Sequence, residues 1–249
     1  MINFLNRASR KINRYLARIS PVKTSTQIFN APIVSFTFDD CAKSAITRGA
    51  KILESKGICG TYYVCGGLTD KLENNTICHS LEDLMGLKAK GHEIASHLFN
   101  HVRCEELTAD EIREEFSKSK EFLSQFGLEL NRTNFSYPFG SINMRAKKEA
   151  AREFATARGI ANGINVSKID LACLKANALY ADDVSRGVIT ELIDQTIRDS
   201  GWLIFYTHDV DENPTKYGIT PELLKFAAEY AKNKGCSIRP ISDVVEQYF

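Results

Sequence analysis

The chain has 249 residues, of which 43% are hydrophobic and 25% are charged, and its formal net charge at pH 7 is +1. This composition is typical of a folded protein with a sizeable core, and the near-neutral charge gives no basis for a nucleic-acid partner. The seven cysteines are scattered without a Cys-x-x-Cys pair. Such a pattern predicts free thiols in a reducing compartment.

The first predicted element is a basic amphipathic helix that ends at Ser20 and Pro21. Most helices of this type pack their apolar stripe on the domain and leave their charges in water. Attachment of residues 1–20 to an anionic membrane surface or to a partner is the second interpretation, and a transit peptide is the third. The apolar positions at helical spacing are Leu5, Ala8, Ile12, Tyr15, Leu16 and Ile19.

The remaining sequence contains no apolar run long enough to span a membrane, and the N-terminus lacks the apolar core of a secretory signal. We therefore expect a cytoplasmic protein, peripheral at the inner membrane face under the second interpretation of the helix. The sequence predicts no oligomeric state.

After residue 30, helical segments that end in glycine alternate with apolar, β-rich segments. Thr108 precedes Glu111 by three residues, which is the spacing of a capping box, and Thr220 followed by Pro221 starts another helix. Such alternation predicts a parallel sheet covered by helices, either closed into a barrel or open and doubly wound. The glycines expected to end helices in a left-handed conformation are Gly57, Gly91, Gly127, Gly201 and Gly235.

No linker-like segment interrupts this pattern, so we predict one α/β domain over residues 31–249. Residues 1–30 form the N-terminal basic helix and its connection to that domain.

Three predicted strand ends carry acidic residues or histidines, and chemistry gathers at the carboxyl ends of parallel strands. Asp39 and Asp40 follow an apolar run, although such a pair is more often solvated or caps a helix. His97 and His101 have the spacing that places two rings on one face of a helical turn, although two surface histidines would look the same. His208 ends another apolar run, where a hydrogen-bonded core histidine is the simpler interpretation.

A fourth strand end is the aromatic-Pro-aromatic-Gly turn from Tyr137 to Gly140. Its backbone N–H groups can point at a ligand, although a purely structural turn is the simpler interpretation of this motif alone.

The combination of these strand ends is more informative than any one of them. One carboxylate and two histidines form a zinc site with an open position, which lowers the pKa of a bound water to about 7. The remaining carboxylate and histidine are then a base and an acid. This set predicts hydrolysis of an amide or ester through a tetrahedral intermediate. Zn²⁺ is the first choice of metal, and Co²⁺, Ni²⁺ and Mn²⁺ also suit such ligands.

In this order, TFDD, H-x-x-x-H, the aromatic-Pro-aromatic-Gly turn and the strand-terminal histidine resemble the polysaccharide deacetylases of the NodB-homology type, carbohydrate esterase family 4. The resemblance runs from about residue 31 to the C-terminus. It implies a distorted (β/α)7 barrel and metal-dependent removal of acetyl groups from N-acetylated sugars.

The resemblance also implies a role for each position. The backbone N–H of Phe139 would stabilise the oxyanion, and Tyr137 would be a second substrate-contacting residue of the same turn. Asp39 would be the general base and His208 the general acid. The three metal ligands would be Asp40, His97 and His101.

Four positions depart from the family pattern. Cys41 replaces the usual glycine after the acidic pair, Leu98 replaces a hydroxyl residue, and Ser136 replaces the arginine that orients the base. The usual carboxylate partner of the acid histidine is not identified, with Asp182 and Asp183 as candidates.

The carbohydrate substrate implied by the resemblance is a polysaccharide, an oligosaccharide or a lipid-linked glycan, such as an intermediate of surface-polysaccharide biosynthesis. Two alternatives are a metal-dependent amidohydrolase acting on a non-sugar amide and a non-catalytic sugar-binding homologue.

Overall fold

A curled parallel sheet organises the chain, and the computed structural model describes residues 2–128 and 133–249. The described strands are β1 (Thr24–Gln27), β2 (Ile33–Phe38), β3 (Thr61–Val64), β4 (Leu72–Glu73), β5 (Thr76–Ile77), β6 (Glu93–Ser96), β7 (Phe135–Ser136), β8 (Ala157–Arg158), β9 (Ser167–Asp170), β10 (Asn177–Ala178), β11 (Trp202–Thr207) and β12 (Ser237–Ile238). The described α-helices are α1 (Ile2–Ile19), α2 (Lys51–Glu54), α3 (Leu81–Ala89), α4 (Ala109–Ser124), α5 (Met144–Glu153), α6 (Arg186–Asp199), α7 (Pro221–Asn233) and α8 (Ile241–Tyr248).

The main sheet runs in the order β10-β11-β2-β3-β6-β7-β8, with β12 also paired to β2, and all of these pairs are parallel. It curls into a half-barrel within a single α/β domain, which confirms the predicted fold class. Every residue of β2 and β11 is buried, because helices cover both. The stacked rings of Phe36 and Phe205 lie in register across these two central strands.

The helix termini show which local signals determine structure. The predicted capping box of Thr108 and Glu111 is present, and Thr220 caps α7 with Pro221 in its first turn. Four of the five predicted glycines have a positive φ, but Gly201 does not, and Ser200 takes the left-handed conformation at the end of α6 instead. A Cβ at residue 201 would lie 2.5 Å from side chains of the neighbouring chain segment, so glycine is needed there for close packing.

Over residues 10–19, helix α1 packs with the opposite face to the one first expected, whereas Leu5 and Ala8 lie outside the described side chains. Its inner face presents Ala17, which is fully buried, and the guanidinium groups of Arg10 and Arg14, which pair with Glu106 and Glu105. The surface that α1 meets therefore combines an apolar contact at Ala17 with acidic partners for the two arginines. The apolar side chains at Ile12, Tyr15, Leu16 and Ile19 are exposed instead.

A buried lysine fixes the C-terminal end of α1. Lys147 of α5 donates hydrogen bonds to the carbonyl oxygens of Ala17 and Ser20 at 2.6 and 2.8 Å, and its ammonium pairs with Asp170. These bonds satisfy carbonyl groups that a helix end leaves without intrahelical partners.

All seven cysteines are free thiols in the structure. None of the described helices combines the length and the hydrophobicity that a membrane crossing requires.

Candidate metal and catalytic site

The carboxyl ends of the central strands form one wall of a cleft of about 370 Å³. Asp39 and Asp40 directly follow β2, His97 follows β6 and His208 follows β11. Because these strands are parallel and lie near one another in the sheet, their ends open at the same edge. His101 completes the group, so the structure brings all five predicted polar side chains to this cleft.

Three of these side chains form a candidate metal centre. Ligand atoms of Asp40, His97 and His101 lie within 4.8 Å of one another. Nε2 of His101 is 3.0 Å and Nε2 of His97 is 3.4 Å from Oδ1 of Asp40. Yet this buried oxygen has no well-aligned hydrogen bond to any described residue. Atoms that approach in this way are suited to share a central cation, and two imidazoles with one carboxylate are a zinc-type donor set.

The outer nitrogens of both histidines are held by hydrogen bonds. Nδ1 of His97 lies 2.9 Å from the carbonyl oxygen of Ser136, and Nδ1 of His101 lies 2.9 Å from Oε1 of Glu73. An Nδ1–H that donates to these oxygens leaves each Nε2 lone pair free to ligate. Burial lowers the pKa of His97 to about 4, so this ring is neutral at pH 7 and able to act as a ligand.

Glu73 is a site residue that the sequence interpretation missed. It belongs to the β4–β5 hairpin, whose turn residues Asn74 and Asn75 have φ values of 50° and 63°. Two central residues with positive φ are typical of a type I′ turn, which Asn adopts readily. The Asn-Asn pair between two short β-rich segments was therefore the available signal for this hairpin.

The loop between the two histidines is held by a glutamate from α4. Oε2 of Glu115 accepts the backbone N–H groups of Phe99 and Asn100 at 3.2 and 2.9 Å. Leu98 is fully buried in an apolar cluster beside this loop. Leu98 thus replaces the hydroxyl residue of the family pattern, and the loop is held instead by the packing of Leu98 and by the hydrogen bonds to Glu115.

Asp39 is held by an arginine from an unexpected strand. Nη2 of Arg158, at the end of β8, contacts both carboxylate oxygens of Asp39, including Oδ2 at 2.5 Å, and both side chains are buried. Arg158 lies directly beside Ser136 in the register of β7 and β8. The arginine that the family pattern places at position 136 is therefore supplied here by the adjacent strand.

This ion pair keeps Asp39 ionised. Burial alone raises the pKa of the carboxyl group, but the charge of Arg158 opposes burial and holds the pKa below its ordinary value. A buried carboxylate that remains charged can accept a proton within the cleft.

His208 has no carboxylate on its outer nitrogen among the described residues. Its Nδ1 lies 3.3 Å from the carbonyl oxygen of Tyr217, and its ring lies beside those of Tyr180 and Tyr217. The structure supports neither candidate partner, Asp182 or Asp183, since both are exposed and neither contacts the ring. Nε2 faces the cleft, 3.9 Å from Oδ2 of Asp40.

The two aromatic residues of the aromatic-Pro-aromatic-Gly turn point in different directions: Phe139 faces outward and Tyr137 faces inward. Phe139 has φ 57° and ψ 13°, and its ring is 45% exposed and stacks on His101 with centroids 4.4 Å apart. Tyr137 is buried, and its hydroxyl donates to the carbonyl oxygen of Ala172 at 2.9 Å. Its side chain does not line the cleft, so the structure offers it no contact with a substrate there.

Left-handed backbone is concentrated around the cleft. Five non-glycine residues have positive φ at or next to the candidate ligands, a conformation that costs roughly 1–2 kcal/mol for an L-residue. They are Asp40, Cys41, Leu98, His101 and Phe139, with φ between 52° and 61°.

A family model described as polysaccharide deacetylase matches residues 27–156, just over half of the chain. The protein therefore belongs to the polysaccharide deacetylase family, as its motifs predicted. A comparison with curated proteins gives no match.

Several solved structures share the fold. A putative polysaccharide deacetylase from Mycobacterium smegmatis is 18% identical with a TM-score of 0.60, over 92% of this chain and 94% of that one. PdaA of Bacillus subtilis, a family 4 carbohydrate esterase, is 17% identical with a TM-score of 0.57, over 95% and 89%. A family 4 pseudoenzyme from Bacillus anthracis is 16% identical with a TM-score of 0.57, over 91% and 69%. Since one of these relatives is a pseudoenzyme, the fold alone does not establish activity.

Proposed function

We propose that this protein is an active, metal-dependent deacetylase that hydrolyses the acetyl amide of N-acetylated sugars. The observation that carries the proposal is the buried Asp39–Arg158 ion pair, which keeps a base charged beside the cluster of Asp40, His97 and His101. A site that retained only a structural metal would have no need for this second, separately held carboxylate.

Asp40, His97 and His101 would hold the divalent metal, with Zn²⁺ as the first choice. When bound, such a metal lowers the pKa of a water to about 7 and polarises a carbonyl group.

The chain's own residues then divide the proton transfers. Asp39 accepts a proton from the attacking water as its oxygen bonds to the acyl carbon. The Phe139 N–H donates to the carbonyl oxygen as it gains negative charge. Protonated His208 donates to the amide nitrogen as the C–N bond breaks, which releases acetate and a free amine. Proton exchange with solvent returns Asp39 and His208 to their starting forms.

Metal analysis and acetate release from N-acetylglucosamine oligomers test the assignment together. Asp39→Asn is expected to abolish turnover with metal content intact, because its carboxylate is not in the ligand cluster. His97→Ala is expected to lose the metal, whereas His92→Gln, at a buried histidine outside the cleft, should keep it.

Full activity of the Asp39→Asn variant would reject the assignment of Asp39 as the general base. A wild-type protein that binds metal and sugar without releasing acetate would favour the non-catalytic homologue. Release of acid only from non-sugar amides would favour the amidohydrolase alternative.

We also propose that α1 binds an anionic membrane surface, which would place the enzyme at the inner face of the membrane near lipid-linked glycans. Its outward face exposes Ile12 by 59% and Ile19 by 55%. Lys11 and Arg18 are exposed and fall beside this apolar row at helical spacing. An apolar face flanked by cations is typical of helices that lie in a membrane interface.

Co-flotation with vesicles of phosphatidylglycerol and phosphatidylcholine tests this contact. The double variant Ile12→Asn/Ile19→Asn is expected to bind at least tenfold more weakly, since burying each isoleucine contributes about 1.5–3 kcal/mol. Ile28→Asn is the matched control, because Ile28 is 84% exposed but lies outside α1. Equal flotation of both variants and the wild type would reject the proposal.

A further inference from the structure

The cleft is lined by a guanidinium group that pairs with no acidic residue in the described part of the chain. Arg103 lines the cleft, and its guanidinium carbon lies 4.3 Å from the centroid of the Phe139 ring. The same Phe139 ring also stacks on the ring of His101, a candidate metal ligand. Within residues 10–128 and 133–249, no carboxylate pairs with Arg103 and its side chain donates no hydrogen bond.

The carboxylates closest to Arg103 in the sequence are already paired. Glu105 accepts two hydrogen bonds from Arg14, at 2.7 and 2.8 Å, and Glu106 accepts one from Arg10 at 2.7 Å. Helix α1 thus occupies the acidic groups of the loop that carries Arg103. Among the described residues, no carboxylate lies within ion-pair distance of Arg103 beside the candidate site.

The guanidinium carbon of Arg103 lies over the Phe139 ring, and the Arg103 N–H groups donate to no described residue. A cation–π contact holds the side chain through its charge, so the N–H donors stay able to bind a ligand. Two parallel N–H donors match two oxygens of a carboxylate or a phosphate. The geometry therefore suits recognition of an oxyanion by a preorganised side chain.

We propose that Arg103 forms an anion subsite in the cleft, so that the preferred substrate is an N-acetylated sugar bearing a phosphate or carboxylate close to the acetamido group. The assignment of substrate class rests on the proposed deacetylase function. The oxyanion has two natural sources: the phosphate that joins a sugar to a lipid, and the carboxylate of an acidic sugar.

Three sugars with the same acetamido group provide the test. They are methyl N-acetylglucosaminide, which is neutral, N-acetylglucosamine 1-phosphate, which carries a phosphate, and N-acetylmuramic acid, which carries a carboxylate. Rates of acetate release are measured for the wild type, Arg103→Gln and Lys216→Gln. Lys216 is the matched control, because its ammonium also lies over a ring of the cleft, 4.6 Å from the centroid of Tyr217, but does not line the cleft.

The wild type is expected to prefer one charged sugar, and Arg103→Gln to lower the charged-to-neutral ratio of kcat/KM by about tenfold or more. Lys216→Gln should leave that ratio unchanged. The preferred probe identifies the phosphate or the carboxylate as the natural group. An unchanged ratio in Arg103→Gln, or an equal loss in Lys216→Gln, would overturn the subsite.

Binding of the same sugars, measured by calorimetry on metal-loaded protein, separates this proposal from the proposed function. Arg103-dependent binding of a charged sugar without acetate release would support the anion subsite and reject the deacetylase function. Acetate release from the neutral sugar, with no Arg103-dependent binding of either charged sugar, would support the deacetylase function and reject the anion subsite. Wild-type protein that binds neither charged sugar also rejects the subsite.

Discussion

Replacement of Arg158 by methionine is the most informative perturbation of this site. Methionine approximately fills the space of the arginine stem but removes its charge, which leaves the carboxylate of Asp39 buried without its cation. The ordinary pair attraction at a charge separation of about 4 Å and an effective dielectric constant of 20 is roughly 4 kcal/mol. Removal of one partner of a buried pair typically costs about 3–5 kcal/mol. We therefore expect Arg158→Met to lose about 3–5 kcal/mol of unfolding free energy.

The same substitution should change the chemistry in a way that a purely structural role would not. Without Arg158, burial raises the pKa of Asp39, because the largest opposing charge is gone. The acid limb of the kcat/KM profile should therefore move to higher pH. Arg158→Lys, which keeps the charge but loses the two-oxygen contact, should move this limb less.

Urea unfolding and pH–rate profiles provide the measurements. The double variant Asp39→Asn/Arg158→Met should be more stable than Arg158→Met alone, because it removes both buried charges. Arg152→Met is the control, since this arginine is 69% exposed and should change stability by less than about 1 kcal/mol. A loss below about 1 kcal/mol in Arg158→Met, together with an unmoved acid limb, would refute the reasoning.

Three further outcomes are expected. Glu73→Gln should weaken metal affinity about 10- to 100-fold in a chelator competition, because the carboxylate orients His101; unchanged affinity would contradict this role. Lys147→Met should lose about 1–3 kcal/mol and speed proteolysis of α1 relative to wild type, because carbonyl groups at the helix end lose their donor. Burial lowers the pKa of His92, so below its ordinary pKa of about 6.5 the unfolded chain binds more protons. Wild-type melting temperature should therefore fall from pH 7.5 to 5.5, and fall less in His92→Gln; equal slopes would contradict the assignment.

Local sequence patterns were sufficient to predict where the side chains of the candidate site lie. Asp39, Asp40 and His208 follow apolar runs, and His97 follows the short strand β6. The rule that parallel strands end at one edge brings such residues together. No long-range information was needed, because the sheet itself supplies the convergence.

Arg158 could not be predicted in the same way. It lies 119 residues from Asp39 and follows a strand of only two residues, which gives no periodic signal. Its burial is decided by the pairing of β8 with β7, a tertiary event. The only local hint is an arginine within the small and apolar segment from Ala155 to Ile160.

The orientation of α1 was also beyond the sequence pattern. Helical periodicity separates an apolar face from a basic one but does not state which face meets the domain. That choice depends on the receiving surface, where Glu105, Glu106 and Lys147 offer charge partners for the basic face and the helix end. Those residues lie about 90 to 130 positions from α1 in the sequence, and no sequence pattern around them predicts a contact with this helix.

The left-handed residues around the cleft have a consequence for efforts to engineer this protein. Glycine adopts this backbone without steric penalty, so a screen for heat resistance alone would favour glycine at Asp40, His101 or Phe139. Two of these changes delete a proposed metal ligand, and the third removes the ring on which Arg103 rests. Substitutions that raise thermal stability at these positions would therefore lower the proposed activity. Stabilising substitutions are better sought at positions far from the cleft.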